Sequence, residues 1–454
     1  MNYRQEKDSI GIINVPEDAL WGAQTQRSLE NFPQDVELMP LSQVKAQVML
    51  KKACAIANYK KDLLDKKRME MIVTACDEIL EGKHDKEFPL TVWQTGSGTQ
   101  TNMNTNEAIT HIVNNKLDES LIHPNDHVNM SQSSNDTFPT AIHVSTAINL
   151  NKKLYPAIDK IIEQLKLLEK ENEDIIKTGR THLQDATPVK LSQEISAWRV
   201  MIERDYSMIK DAEKHLHKLA IGGTAVGTGI NTPKGFGDRV AEELKQLTGI
   251  DFVSDENKFY QLSSKSALVI VHSAIKTLAT DLYKIASDIR FSSCGPRCGI
   301  SELVIPSNEP GSSIMPGKVN PTQVESITMI CIQVVANDFA ISMANTQGQM
   351  QLNVYMPLII YNMDQSINLL SKSIHCFTDK LLKDLKADKN NIDKNLNNSL
   401  MLVTKLSPHI GYDKASEIAK NAYNKNLTLK ESTLELGYLS KEEFDKYMQV
   451  DQMV

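Results

Sequence analysis

The stretch from Leu268 to Ile289, LVIVHSAIKTLATDLYKIASDI, decides the fold. Its apolar positions Leu268, Val271, Ile275, Leu278, Leu282, Ile285 and Ile289 alternate spacings of three and four over three heptads. That pattern puts one continuous apolar stripe on a long helix, a seam for packing against other long helices. The seam carries packing and no chemistry. Similar helical patterns cover 139–176, 188–219, 321–345 and 356–386, and few runs of alternating β-branched residues interrupt them. The spacing predicts a mainly α fold around a central long-helix bundle, with no large sheet. A bundle of such helices exposes apolar surface, and self-association would bury it.

At 454 residues the chain is too long for one compact core. Residues 1–133 mix short apolar runs with Gly, Pro and Asn and read as an N-terminal helix-and-loop domain. Residues 134–389 read as the central bundle, and 390–454, opening on a Lys- and Asn-rich run, as a small C-terminal helical domain. Hydrophobic content of 41% and charged content of 24% are those of an ordinary globular protein. A net charge of −7 argues against nucleic acid as a partner. It also means that any anion site must be built locally, from helix ends and single cations.

The six cysteines, Cys54, Cys76, Cys294, Cys298, Cys331 and Cys376, form no Cys-x-x-Cys pair, so neither a metal site nor a disulfide framework is expected. Reduced thiols in the cytoplasm are the default. The N-terminus has no apolar signal core, and no run of about 18 uncharged apolar residues suggests a membrane span.

Chemistry concentrates in four polar segments: Thr95–Asn104, Ser131–Asp136, Gly179–Pro188 and Gly311–Pro321. The last, Gly-Ser-Ser-Ile-Met-Pro-Gly-Lys-Val-Asn-Pro, sets two hydroxyls, a cation and an amide in one loop bounded by Gly311 and Gly317. Asn320 is placed to cap the following helix, with Pro321 as its first residue. A helix N-terminus beside Lys318 favours an anion. A capping surface loop is the plainer reading of this segment alone. Four segments so rich in neutral donors point instead to a small carboxylate ligand.

Other motifs fall away. Gly222–Gly229 is dense in glycine but lacks the lysine of a phosphate loop and any βαβ context, so tight backbone passage or a flexible segment near a ligand is its expected role. His123 and His127 are four apart, but Pro124 opposes a helical metal pair, and no His-Glu-x-x-His occurs. His215 and His217 read as surface residues. His182, set between Thr181 and a polar run ending in Thr187-Pro188, is the histidine placed for acid–base work.

On these residues the sequence resembles the fumarase/aspartase superfamily over almost its whole length, and within it the class II fumarate hydratases. The Gly311–Pro321 loop matches the superfamily signature. Trp21–Ser28, His123–Asp126, the 131–136 and 179–188 segments, Gly295–Gly299 and His409–Lys414 all look like the fumarase versions. Aspartases usually carry Ala where this loop has Gly317. Argininosuccinate and adenylosuccinate lyases have a basic residue in place of Val319. Aspartate ammonia-lyase is the alternative reading, and a catalytically silent structural member the third; intact Ser312, Lys318, Asn320 and His182 weigh against the last.

The resemblance implies reversible addition of water to fumarate, giving (S)-malate through an aci-carboxylate carbanion, with no cofactor and no metal. It implies a homotetramer whose central helices merge into one bundle, with each active site drawn from three subunits. It assigns Ser312 as base, His182 as acid, Glu325 as the carboxylate paired with His182, and Lys318 as a stabiliser of the carbanion. Ser97, Thr99, Ser133, Ser134, Asn135, Thr181, Lys318 and Asn320 are its substrate-binding set. A second dicarboxylate site would use His123, Asn125 and Asp126. Relatives commonly have an arginine three residues before that histidine; here Ser120 stands there, in Asp118-Glu119-Ser120, which weakens the expected anion site.

Overall fold

The computed structural model describes residues 2–117 and 119–454; Met1 and Asp118 lie outside the described residues. The protein is mainly helical. Among the described residues, β structure is limited to four two-stranded ladders and one isolated bridge. The expected seam forms the helix Ser266–Ser292, and all seven of its apolar positions are fully buried. The other long patterns become Ser134–Asn149 continuing through a π turn into Tyr155–Glu171, then Leu191–Glu213, Thr322–Asn345 and Met356–Lys380.

The chain divides into two compact units. One comprises residues 1–156, 205–279 and 331–371; the other comprises 157–204, 280–330 and 372–454. This division follows compactness and cuts through long helices. The three-domain boundaries expected from the sequence remain a separate proposal.

The first unit opens with an antiparallel hairpin, Tyr3–Lys7 against Ile12–Pro16. Its helices include Leu41–Tyr59, Lys66–Leu80, Thr99–Leu117 and Ser134–Asn149. Ser133 begins the last of these with a capping box, in which Asp136 returns to the Ser133 N–H. The second unit carries the hairpin Ile176–Thr181 with Gln184–Lys190. Its C-terminal helices start at two further capping boxes, Thr428 with Glu431 and Ser440 with Glu443. They enclose a small core around Leu406, Ile418, Ala422 and Phe444.

One helix departs from the sequence reading. Thr322–Asn345 is long and apolar enough, with a mean hydropathy of 1.6, to qualify by composition as a membrane span. The geometry gives another reason for its composition. Val324, Ile327, Cys331, Val334 and Ile341 are buried, while Met329, Ile332, Val335, Phe339 and Met343 form an exposed apolar stripe. The helix is therefore apolar on the face it buries and on the face it leaves exposed.

Candidate active site

In the first unit, the substrate-binding hydroxyls expected from the sequence converge. Ser97 Oγ lies 2.8 Å from Thr99 Oγ1, which lies 2.8 Å from Ser134 Oγ. Gly98 makes this chain possible. Its φ is +71°, and a Cβ there would sit 2.3 Å from the Phe138 ring. Ser133 accepts the Asn135 N–H, and Asn135 Nδ2 donates to the Ala225 carbonyl at 2.8 Å. The glycine-rich segment thus has a definite role. Buried Asp136 accepts the Gly222 and Thr224 N–H groups at 3.0 and 2.9 Å, fixing that loop against the Ser133–Asn135 turn.

Beneath these hydroxyls lies a polar layer that sequence reasoning missed. Asn129 Oδ1 accepts from Lys51 Nζ at 2.9 Å and from the amides of Asn102 and Asn106 at 3.2 Å each. Lys51 also donates to Gln132 Oε1 at 3.0 Å, and Gln47 and Thr137 donate to Asn102 Oδ1. Burial pushes the Lys51 ammonium down to about 8. These residues are scattered from 47 to 137, on three helices and on the turn that holds Asn129 and Gln132. The available signal was the run of asparagines at 102, 104 and 106, too polar for buried helix positions unless paired.

The second-site residues lie on a short π turn, Pro124–Val128. His123 Nδ1 accepts the Asn125 and Asp126 N–H groups at 3.3 and 3.2 Å. His123 and Asn125 line a cavity of about 600 Å³ together with Glu6, Asp8, Glu107 and Ser120. The carboxylates in that lining are held internally: Glu107 takes N–H bonds from Gly22, Gln24 and Thr25, and Asp8 pairs with Arg27. Glu6, Asp8 and Glu107 share that lining with Lys7 and His111. Asp118, named with Ser120 in the expectation for this site, lies outside the described residues.

The second unit holds the acid–base candidates. His182 and Leu183 form the two-residue turn of the hairpin, both left-handed, with φ of +56° and +59°. Such a turn ordinarily uses Asn-Gly, so two side-chain-bearing residues here store strain. Thr181 and His182 are exposed.

The Gly311 loop is closed by its own bonds. Gly311 N donates to Lys318 O at 3.0 Å, and Asn320 Nδ2 to Gly311 O at 2.6 Å. A Cβ at 311 would lie 2.2 Å from Lys318 O, which accounts for that glycine. Within the loop, Ser312 Oγ accepts N–H bonds from Ile314 at 3.3 Å and Met315 at 3.0 Å. The Lys318 side chain is exposed and makes no hydrogen bond or ion pair among the described residues. The helix begins at Thr322, whose N–H goes to the Asn320 backbone carbonyl at 2.9 Å, while the Asn320 side chain ties the loop, so its expected side-chain capping role is replaced by loop closure. Glu325 is exposed one turn in, and within this chain it makes no hydrogen bond with His182.

A sequence profile described as a lyase matches residues 11–336, and one described as the fumarase C C-terminus matches 402–454. The chain is 52% identical to the class II fumarate hydratase of Bacillus subtilis (strain 168), over 100% of this chain and 99% of that protein. It is 51% identical to that of Staphylococcus aureus (strain N315), with the same coverage. The crystal structure of class II fumarase from Schistosoma mansoni superposes with a TM-score of 0.96 at 43% identity, covering 100% of this chain and 99% of that one. Fold and site together define a helical-bundle lyase. Within that class, the chain belongs to the class II fumarate hydratase family.

Proposed function

We propose that this chain catalyses the reversible addition of water to fumarate, giving (S)-malate, with Ser312 as base and His182 as acid. The observation that carries this reading is the pair of backbone N–H groups on Ser312 Oγ. A serine hydroxyl is a poor base, and an oxygen already receiving two N–H bonds is stabilised as an alkoxide. Lys318, four residues past Ile314 and exposed, adds a cation to the same short loop.

In the malate direction, Ser312 removes the proton from the carbon beside one carboxylate. The electron pair spreads into that carboxylate as an aci-carboxylate dianion. Lys318 and Asn320 stabilise it; a preorganised donor of this kind contributes roughly 3 kcal/mol. Asn320 Nδ2 has one hydrogen committed to Gly311, leaving the other for substrate. His182 protonates the departing hydroxyl. Ser97, Thr99, Ser133, Ser134, Asn135 and Thr181 bind the substrate carboxylates. The His123, Asn125 and Asp126 site is a weaker anion site because Ser120 stands where relatives commonly carry an arginine.

We further propose a homotetramer with active sites shared among three subunits. The exposed apolar stripe on Thr322–Asn345 supports this, with Phe339 70% and Met329 65% exposed. So does the solvent exposure of His182, Lys318 and Glu325, which leaves Glu325 available to a histidine of another subunit. Six free cysteines, three of them exposed, suit a reducing cytoplasm.

Ultraviolet absorbance of the purified protein with malate, and separately with aspartate, tests the reaction. Fumarate formed from malate alone is the expected result. Fumarate from aspartate alone would replace the hydratase reading with the ammonia-lyase one.

A further inference from the structure

Two residues before His182, Arg180 leaves the hairpin for a buried carboxylate. The hairpin register slips between Thr178 and Arg180, at Gly179. A Cβ at Gly179 would lie 2.4 Å from the Thr187 carbonyl oxygen, so only glycine permits the strands to approach there. A slip of this kind adds twist and re-aims the neighbouring side chain.

Arg180 Nη1 and Nη2 donate to Glu302 Oε2 and Oε1 at 3.0 and 2.8 Å, a two-bond fork. Lys177 Nζ lies 3.2 Å from the same carboxylate, and Asn395 Nδ2 donates to it at 3.3 Å. Glu302 is fully buried. Burial alone would raise its carboxyl, but the Arg180 bonds and the charges of Lys177 and Arg180 outweigh burial and hold it below the usual carboxylate range. Its backbone is pinned as well. The Glu302 N–H donates to Ser292 O at 2.7 Å, and its carbonyl accepts the Asp388 N–H at 2.9 Å.

A left-handed turn made of His and Leu persists only where its surroundings over-determine it. The Glu302 fork is a buried, directional anchor next to that turn. We propose that Glu302 is a positioning residue for His182, acting through Arg180 to hold the strained turn in its productive orientation. The proposal rests on His182 being the acid of the hydration reaction. It assigns Glu302 a task in turnover beyond charge compensation in the fold.

The test measures kcat, KM and the pH profile of kcat for Glu302→Gln, Arg180→Lys, His182→Asn and the Glu302→Gln/His182→Asn double variant, with melting temperature and oligomer mass in parallel. Arg180→Lys keeps the charge and loses the fork, so it serves if Glu302→Gln does not fold. Each of the two anchor variants should lower kcat on the order of 10²-fold with little change in KM. The pH limb set by His182 should weaken with it. The double variant should be no slower than His182→Asn. Full kcat per folded oligomer in both anchor variants would overturn the positioning role, whatever the melting temperature. So would losses that multiply in the double variant. Full kcat in His182→Asn would overturn the acid assignment itself, and this proposal with it; the two failures are therefore told apart.

Discussion

Ser312 and Gly98 show how single residues set the site. Ser312 Oγ already accepts two N–H bonds from its own loop, so no partner need move for the oxygen to carry charge. Ser312→Ala removes that oxygen and leaves the loop closure between Gly311, Lys318 and Asn320 in place. It should lower turnover by orders of magnitude with oligomer mass unchanged. Near-normal kcat, followed by fumarate absorbance, would take the base role away from Ser312. Gly98 contributes only its missing Cβ. Gly98→Ala meets both a positive φ and the Phe138 ring, and should cost more than about 1 kcal/mol, read as a lower melting temperature. KM should rise too, because Ser97 and Thr99 flank the distorted residue.

Among the elements, the N-terminal hairpin is tied down by charge. Glu6, on its first strand, accepts from His111 at 3.0 Å and from Arg4 at 2.8 Å. The His111 hydrogen bond leads, and with Arg4 it overcomes burial to hold the carboxyl at about 2 instead of 4.5. The folded value is the lower one, so the stabilisation is fully present above pH 4.5 and is lost as pH falls toward 2. With partial solvent screening it amounts to about 2 kcal/mol at most. Glu6→Gln should therefore lower the melting temperature at pH 7, and the gap to the unaltered protein should close below pH 4.5. A gap independent of pH would show that the pair contributes through shape alone.

For the whole molecule, the apolar stripe on Thr322–Asn345 is where the proposed assembly is tested. The helix is buried on one side and presents Met329, Ile332, Phe339 and Met343 on the other, the face that the proposed multi-subunit core would cover. Phe339→Glu places a charge in that surface. Light scattering should find smaller species, and, with the sites shared as proposed, activity should fall with mass. A full-size, fully active Phe339→Glu protein would remove this face from the interface. Partition of the unaltered protein into vesicles would favour the membrane-span reading of the same helix.

Much of this was legible in the chain itself. The heptad seam is local and periodic, so spacing alone located a fully buried helix face. The Gly311–Pro321, Gly179–Pro188, Ser131–Asp136 and Thr95–Asn104 segments are contiguous strings whose chemistry does not depend on their neighbours. Tertiary structure decided what depends on meeting at a distance. Asp136 reaches the glycine loop 86 positions away, and Arg180 reaches Glu302 across 122. Lys51 can be buried because Asn129 and Gln132, on another segment, satisfy it. Asn320 turned from helix cap to loop clasp because the Gly311 carbonyl folded back beside it. Periodicity and local chemistry are written along the chain. Desolvation and pairing exist only once distant segments share a volume from which water is excluded, and there a buried polar group must find its partner.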